Sequence, residues 1–273
     1  MPAFHPAATR GPILALALAL TISASSACAE DGWTRLFNGR DLQGWTVKCR
    51  PKDRAKQGYW RVEDGAITAR TPKGSRHDYI WLVADGEYAD FELRMRVQTR
   101  PAYPGNSGVQ VRSRYDAERG WMHGPQVDLN PPGPWRNGFI YDETRGVQVW
   151  LWPDVGRPAN AKPKHAPEGW KWRHADGSQA NGVAASAGDA GGEEGQGDEA
   201  DVWNDVRIVC RGTRIQTFIN GVPVADYDGA GRLDDEAHRR HNVGMRGKIA
   251  LQIHPGGPLL IRFKDIELKR FDD

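Results

Sequence analysis

Strict alternation of apolar and polar side chains recurs along this chain, and no other feature limits its fold as tightly. Phe91-Glu92-Leu93-Arg94-Met95-Arg96-Val97 is the clearest run. Gly108–Arg112, Gln126–Asn130, Gly146–Trp150 and Val206–Cys210 follow the same rule. Successive side chains of a strand point to opposite faces, so a period of two predicts strands with one face in a core. Arg214–Ile219 runs into Asn220-Gly221 and then Val222-Pro223-Val224. Asn-Gly between two such runs predicts a tight hairpin, because both residues tolerate positive φ. Pro223 cannot donate to a ladder and predicts an edge position for the returning strand. Lys248–His254 and Ile261–Leu268 complete the set, with a slip of phase that predicts a bulge near Lys264. No helical period of useful length accompanies these runs. Many short strands separated by Gly, Pro and Asp turns predict an all-β protein, a sandwich or jelly roll in a single domain.

The ends and the charge narrow the function class. Arg10, the apolar run Ile13–Leu20 and Ala27-Cys28-Ala29 read as an export signal over 1–29. The apolar run is shorter than the roughly 20 residues that a membrane-spanning helix needs. Cys28 stands where a lipid-modified cysteine stands in anchored proteins, although Ser25 holds the usual leucine position. A periplasmic or secreted location is the expectation. Of 37 basic residues only Arg10 lies in 1–29, so 36 face 35 acidic residues in the mature chain. That balance, with no basic run, argues against a nucleic-acid partner. Cys49 and Cys210 remain after processing, as one disulfide or as two free thiols. The stretch of about 174–201 carries seven acidic residues, no Lys or Arg from Asp176 onward, and many Gly and Ala, which predicts a disordered acidic insertion. Eleven Trp against seven Phe in an exported chain suit stacking on sugar rings as well as core packing.

Candidate site residues follow from the strands. In His123-Gly-Pro-Gln126-Val-Asp128-Leu-Asn130 the three polar residues Gln126, Asp128 and Asn130 fall on one face, about 7 Å apart in succession. Such a row matches the hydrogen-bonding needs of sugar hydroxyls. It resembles the E-x-D-x-E strand of retaining glucanases with a lectin-like sandwich, but amides replace the two outer carboxylates. Amides supply neither a general acid nor a carboxylate nucleophile, so double displacement is disfavoured. Tyr141-Asp142-Glu143 adds two acid/base candidates, and His254 ends a strand before Pro255-Gly256-Gly257. Asn106 sits in the Gly105–Gly108 turn with its amide available to a ligand or to local capping. His238 and His241 have a metal-pair spacing, but neither a helical pattern nor a third ligand accompanies them.

The order of motifs resembles one family over nearly the whole mature chain. Leu36-Phe-Asn-Gly-Arg-Asp41-Leu-Gln-Gly-Trp45 is similar to its LFNG-x-DL-x-GW opening. Trp60-Arg-Val-Glu-Asp-Gly65, Tyr88-Ala-Asp-Phe-Glu-Leu93 and Gly105-Asn-Ser-Gly-Val109 are similar to its W-x-VEDG, Y-x-DFEL and GNSGV elements. Trp203-Asn204, Ile219-Asn-Gly221 and Phe263-Lys-Asp-Ile266 resemble its closing motifs. The family is that of the 3-keto-disaccharide hydrolase domain. The resemblance implies a concanavalin A-like jelly-roll β-sandwich, export, and action on 3-keto-glycosides. On that reading Asp128, Glu143 or His254 removes the C2 proton, and Gln126, Asn130, Asn106 and Arg112 bind hydroxyls or the enolate. Tyr141 and His123 join them as binding residues. A divalent metal is compatible with the site, though no ligand set is legible. A carbohydrate-binding module without chemistry is the rival from another class, since the same fold and polar face serve both. A conventional glucanase is disfavoured by the missing carboxylates.

Overall fold

The computed structural model describes Met1 and residues 32–130, 136–153, 172–173, 179–180 and 202–271. The leader expected over 1–29 lies, beyond Met1, outside the described residues, as does the acidic segment apart from Gln179–Ala180. In chain order the strands begin with β1 (Trp33–Arg35), β2 (Trp45–Cys49), β3 (Trp60–Glu63), β4 (Ala66–Thr71), β5 (Ile80–Ala84) and β6 (Phe91–Pro104). There follow β7 (Ser107–Asp116), β8 (Trp121–His123), β9 (Pro125–Leu129), β10 (Ile140–Asp142), β11 (Val149–Trp152), β12 (Trp172–Arg173) and β13 (Gln179–Ala180). The last are β14 (Asn204–Arg211), β15 (Arg214–Ile219), β16 (Val222–Asp228), β17 (Lys248–Ile253) and β18 (Leu259–Arg270).

These strands form two eight-stranded antiparallel sheets packed as a single jelly-roll sandwich. One runs β16-β15-β14-β6-β18-β4-β3, with β1 on β18. The other runs β11-β10-β9-β7-β17-β5-β2, with β8 on β7. The inward residues of the alternating runs meet between the sheets. Phe91, Leu93, Met95 and Val97 of β6 share one buried cluster with Val109 and Val111 of β7 and Val127 and Leu129 of β9. A second, smaller cluster of Trp81, Val83, Trp121, Met122 and Ala250 lies on the outward face of the β7–β17–β5 region. That sheet is therefore apolar on both faces in part, while β9, buried along its whole length, turns Gln126 and Asp128 outward.

The hairpin at Asn220-Gly221 has positive φ at both residues, 50° and 79°. β16, with Pro223, is the edge strand. The ladder of β18 on β6 shifts between Lys264 and Glu267, with Asp265 at φ 51°. The period-two reading failed at Gly146-Val147-Gln148: Thr144–Gln148 is a turn closed by Val147 N–H to Thr144 O, with positive φ at Gly146 and Gln148. Glu236–His241 is a helix, α1, where no helix was expected. Six residues are too few to show a period, and Asp235 caps it by accepting from the His238 N–H. Cys49 and Cys210 are free thiols on opposite sheets, which removes the disulfide alternative. Among the described residues no helix is long and apolar enough to cross a membrane.

Candidate active site

The outward face of the β9–β7–β17 region gathers the polar residues of these alternating strands. Register places Gln126 of β9 opposite Gln110 of β7 and opposite Tyr141 of β10, and Tyr141 opposite Trp150 of β11. One step along, Asp128 faces Gly108, Gly108 faces Gln252, and Gln252 faces Trp81. Gln126, Tyr141 and Trp150 of the first row and Asp128 of the second line a cavity of about 320 Å³. Its walls include Tyr79, Asn106, Trp121, Gln126, Asp128, Arg136, Tyr141, Glu143, Gln148, Trp150 and His254. Gly108 is required in the floor. A Cβ there would stand 2.5 Å from Gln126 Cδ, in space the Gln126 side chain occupies.

Asp128 is held on both oxygens. Its Oδ2 accepts from Arg136 Nε at 2.6 Å and its Oδ1 accepts from Gln126 Nε2 at 3.3 Å. Gln126 Oε1 in turn accepts from Gln110 Nε2 at 2.9 Å. This chain orients the amide and the carboxylate as a unit. Asp128 is thus half of an ion pair with Arg136.

Glu143 differs in kind. It is buried, and burial pushes its carboxyl up to about 8, reinforced by the charges of Asp128 and then Asp142. The nearby Gln252 amide and the Arg136 charge oppose that rise. The Glu143 backbone is fixed independently: its N–H donates to Gly124 O, and its carbonyl accepts from Trp121 Nε1 at 2.7 Å. Neighbouring Asp142 is fully buried against His238, whose Nε2 lies 2.9 Å from Asp142 Oδ2 while Nδ1 lies 2.8 Å from Asp235 Oδ1. Those two carboxylates outweigh burial and hold the His238 imidazole above its ordinary range.

His254 donates from Nδ1 to its neighbour's carbonyl, Pro255 O, at 2.7 Å, which leaves Nε2 to accept from the Tyr79 hydroxyl at 3.1 Å. Burial lowers the His254 pKa, so the ring is neutral. Burial raises Tyr79 far above its ordinary value, with Glu143 adding to the effect. Tyr79 stacks on Trp81 at 5.3 Å and meets Trp121 edge-on at 4.8 Å. Asn106 Oδ1 is buried in the cavity wall without a hydrogen-bond partner. Buried polar atoms left open beside a cavity mark places where a ligand group completes the bonding.

Of the residues expected from sequence, Asp128, Glu143, His254, Gln126, Asn106 and Tyr141 converge here. Three do not. Arg112 is fully buried at φ 48° and donates to Ala89 O and Gly212 O, with an ion pair to Asp90 at 2.7 Å. It ties loops together on the far side of β7. His123 is buried against His241, ring centroids 3.8 Å apart, and accepts the Arg145 N–H at Nδ1. Burial and the charge of His241 push it down to about 4. Asn130 lies past the end of β9, where its N–H donates to Asn137 Oδ1, so the expected row of three is a row of two. Arg136, Tyr79, Trp121, Gln148 and Trp150 were missed, since each reaches the cavity by tertiary folding.

The donor set does not fit a metal. Asp128 is engaged by Arg136 and Gln126, Glu143 holds a proton at neutral pH, and His254 Nε2 accepts a hydrogen bond from the Tyr79 hydroxyl. His238 has both ring nitrogens committed to carboxylates, so the His238/His241 spacing makes no site. Among the described residues no group of three His, Cys, Asp or Glu could hold an ion.

Several solved structures share the fold at low identity. A proposed glycosyl hydrolase from Parabacteroides distasonis ATCC 8503 is 18% identical, with 88% of this chain and 94% of that one covered and a TM-score of 0.48. The carbohydrate-binding module CBM66 from Bacillus subtilis is 11% identical, with 87% and 95% covered and a TM-score of 0.41. Alginate lyase A1-II′, of polysaccharide lyase family 7, is 11% identical, with 86% and 98% covered and a TM-score of 0.46. No curated protein matches the chain. The family comparison is more specific, because one model spans residues 32–269 of the 273. The chain belongs to the carbohydrate-active family of the 3-keto-alpha-glucoside-1,2-lyase-like domain.

Proposed function

We propose that the cavity binds a 3-keto-glycoside and expels its aglycone by elimination across C1 and C2, with Glu143 as the base. The observation that carries this is the buried Glu143 carboxyl with a pKa of about 8. A base is most effective when its pKa lies near the working pH, and this carboxylate is far more basic than an exposed one. At pH 7 about a tenth of the molecules carry it ionised. The C3 carbonyl acidifies the C2 proton. Glu143 takes that proton, and the electron pair of the C2–H bond becomes the enolate. The enolate collapses to a C1=C2 bond as the C1–O bond breaks. The departing oxygen takes a proton from solvent, and Glu143 returns the C2 proton to solvent. Water adding to the double bond completes net hydrolysis.

The Arg136 guanidinium and the Gln126 amide supply positive charge and donors for the enolate oxygen. The Asp128–Arg136 pair keeps that guanidinium in place. Trp121, Trp150 and Tyr141 form the apolar surfaces that suit a sugar ring, and Asn106 offers an open acceptor. Export to the periplasm or beyond belongs to the same reading and rests on the leader.

The test is incubation of the mature chain with 3-keto-trehalose, 3-keto-cellobiose and their unoxidised parents, with products followed by NMR. Cleavage of keto sugars alone, abolished in Glu143→Gln, is the expected result. Cleavage of the unoxidised sugars would overturn the elimination route, and binding without cleavage would make the protein a carbohydrate-binding module.

A further inference from the structure

A second cavity lies on the other side of Trp121. It is about 420 Å³ in volume, and its lining includes Arg50, Arg119, Arg145, Glu118 and Gly120. Two of the three arginines are already paired with carboxylates, which leaves Arg145 as the cation without an ion pair among the described residues. Arg145 is the key group. Its guanidinium carbon stands 4.4 Å from the centre of the Trp121 ring, and its Nε is buried with no hydrogen-bond partner. The other two arginines are positioned by the chain. Arg50 pairs with Asp78 at 2.8 Å and donates twice to Arg119 O. Its stem passes beneath Gly120, where a Cβ would collide with Arg50 Cγ and where φ is 58°. Arg119 is 3.4 Å from Asp116, which also accepts the N–H groups of Glu118 and Arg119 and so shapes the loop.

The two cavities are joined through one contact, between Trp121 and Arg145. Trp121 lines the first and carries Arg145 of the second on its ring. The Arg145 charge also reaches Tyr79, where it opposes the rise in pKa. Trp121 is in turn bonded to the carbonyl of Glu143. An aglycone that extends from the first cavity past Trp121 would meet Arg145.

We propose that this second cavity is a subsite for an anionic substituent on the aglycone, a carboxylate or a sulfate ester, read chiefly by Arg145. The proposal rests on the reading that the first cavity holds a glycoside. A guanidinium without a carboxylate partner binds such an oxyanion without first breaking an existing ion pair. Neutral aglycones leave Arg145 unsatisfied and bind less tightly.

The experiment is calorimetric titration of the mature chain with unoxidised disaccharides of one linkage. One carries a glucuronic acid unit, one a sulfated glucose, and one is the neutral parent. At low salt an acidic sugar should bind about tenfold tighter than the neutral one, as expected for a charge-assisted hydrogen bond, with the margin shrinking as salt rises. Preference for the uronate or for the sulfate identifies the source of the anion. Arg145→Gln should bring the ratio of acidic to neutral affinity towards one, Arg145→Lys should retain part of it, and the exposed Arg119→Ala should reduce it. Equal affinity for acidic and neutral sugars in the unaltered chain would overturn the proposal, as would an unchanged ratio in Arg145→Gln. Because no keto sugar is present, loss of lyase activity leaves this result standing, and failure here leaves the lyase reading untouched.

Discussion

A carboxyl whose pKa rises on folding takes stability away from the folded chain as pH increases, and Glu143 is such a group. In the unfolded chain it titrates near 4.5, and in the folded chain near 8. Below pH 4.5 both states hold the proton and nothing is lost. Between the two values only the folded chain holds it, so each pH unit costs the folded state about 1.4 kcal/mol. The interval from 4.5 to about 8 is about 3.5 pH units, which gives about 5 kcal/mol by pH 8 and a plateau above. Glutamine has the same shape and does not titrate. It also leaves the backbone bonds to Gly124 and Trp121 in place. Glu143→Gln should therefore match the unaltered chain near pH 4.5, gain about 3 kcal/mol at pH 7 and about 5 kcal/mol at pH 8.5. The assay is urea unfolding of both chains, followed by tryptophan fluorescence at those three pH values, with slopes checked for equality. The same variant should lose turnover of keto sugars. A stability difference that stays flat across pH would show an ordinary carboxyl at 143, and the assignment of Glu143 as base would fall with it.

Four further outcomes follow from the same geometry. Asp128→Asn removes a charge that raises the Glu143 pKa, so the rise of kcat/KM with pH should move to lower pH, read from a full pH–rate profile. Arg136→Ala should move it to higher pH and leave Asp128 buried and unpaired, at a cost of about 3–5 kcal/mol in unfolding free energy. Gly108→Ala forces Gln126 out of the floor and should cost about 1–3 kcal/mol together with sugar affinity, measured by denaturation and calorimetry. In thiol titration of the native mature chain, Cys210, buried and pushed up to about 12, should stay unreactive until denaturant is added.

The strands were legible in the sequence because their chemistry repeats locally. Phe91–Val97 and Val206–Cys210 alternate, and a two-residue period needs no knowledge of the partner sheet. Asn220-Gly221 and the slip near Lys264 were legible for the same reason, since each is a matter of adjacent residues. Gly146–Gln148 misled because a glycine beside two alternating residues satisfies the pattern while Gly146 and Gln148 take the left-handed conformation of a turn. α1 was invisible because a turn and a half has no period to detect. Gln126, Asp128, Glu143 and His254, which line one cavity, drew notice because polar side chains on otherwise apolar strands stand out. Arg112 stood out in the same way and proved to be a buried tie between loops. Sequence shows that a charged residue sits within a strand; whether it faces a ligand or a ring of carbonyls depends on residues far along the chain, here Gly212 and Gly244.

That distinction explains why the site's chemistry was less legible than its location. Asp128 and Glu143 both read as acidic residues on neighbouring elements, equal candidates for the base. Folding makes them opposites. Arg136, eight residues along the chain, pairs with Asp128 at 2.6 Å. Glu143 has no ion pair among the described residues; the charges of Asp128 and Asp142 raise its pKa, and that of Arg136 only partly opposes them. Asp142 in turn keeps its place through His238, which α1 delivers from almost a hundred positions away. The helix that the pattern concealed thus helps to set the proton affinity of the proposed base. Removing its imidazole in His238→Ala leaves Asp142 buried without its cationic partner, which should cost about 3–5 kcal/mol. Because the folded chain holds the His238 proton more tightly than the unfolded chain, the stability from this pair is complete below the ordinary histidine pKa. It declines as pH rises through the higher folded value. The deficit of the variant should therefore be largest in mild acid and smaller at alkaline pH, as read by urea unfolding. A deficit that grew with pH would mean that His238 is neutral in the folded protein and that Asp142 bears on Glu143 without a compensating charge.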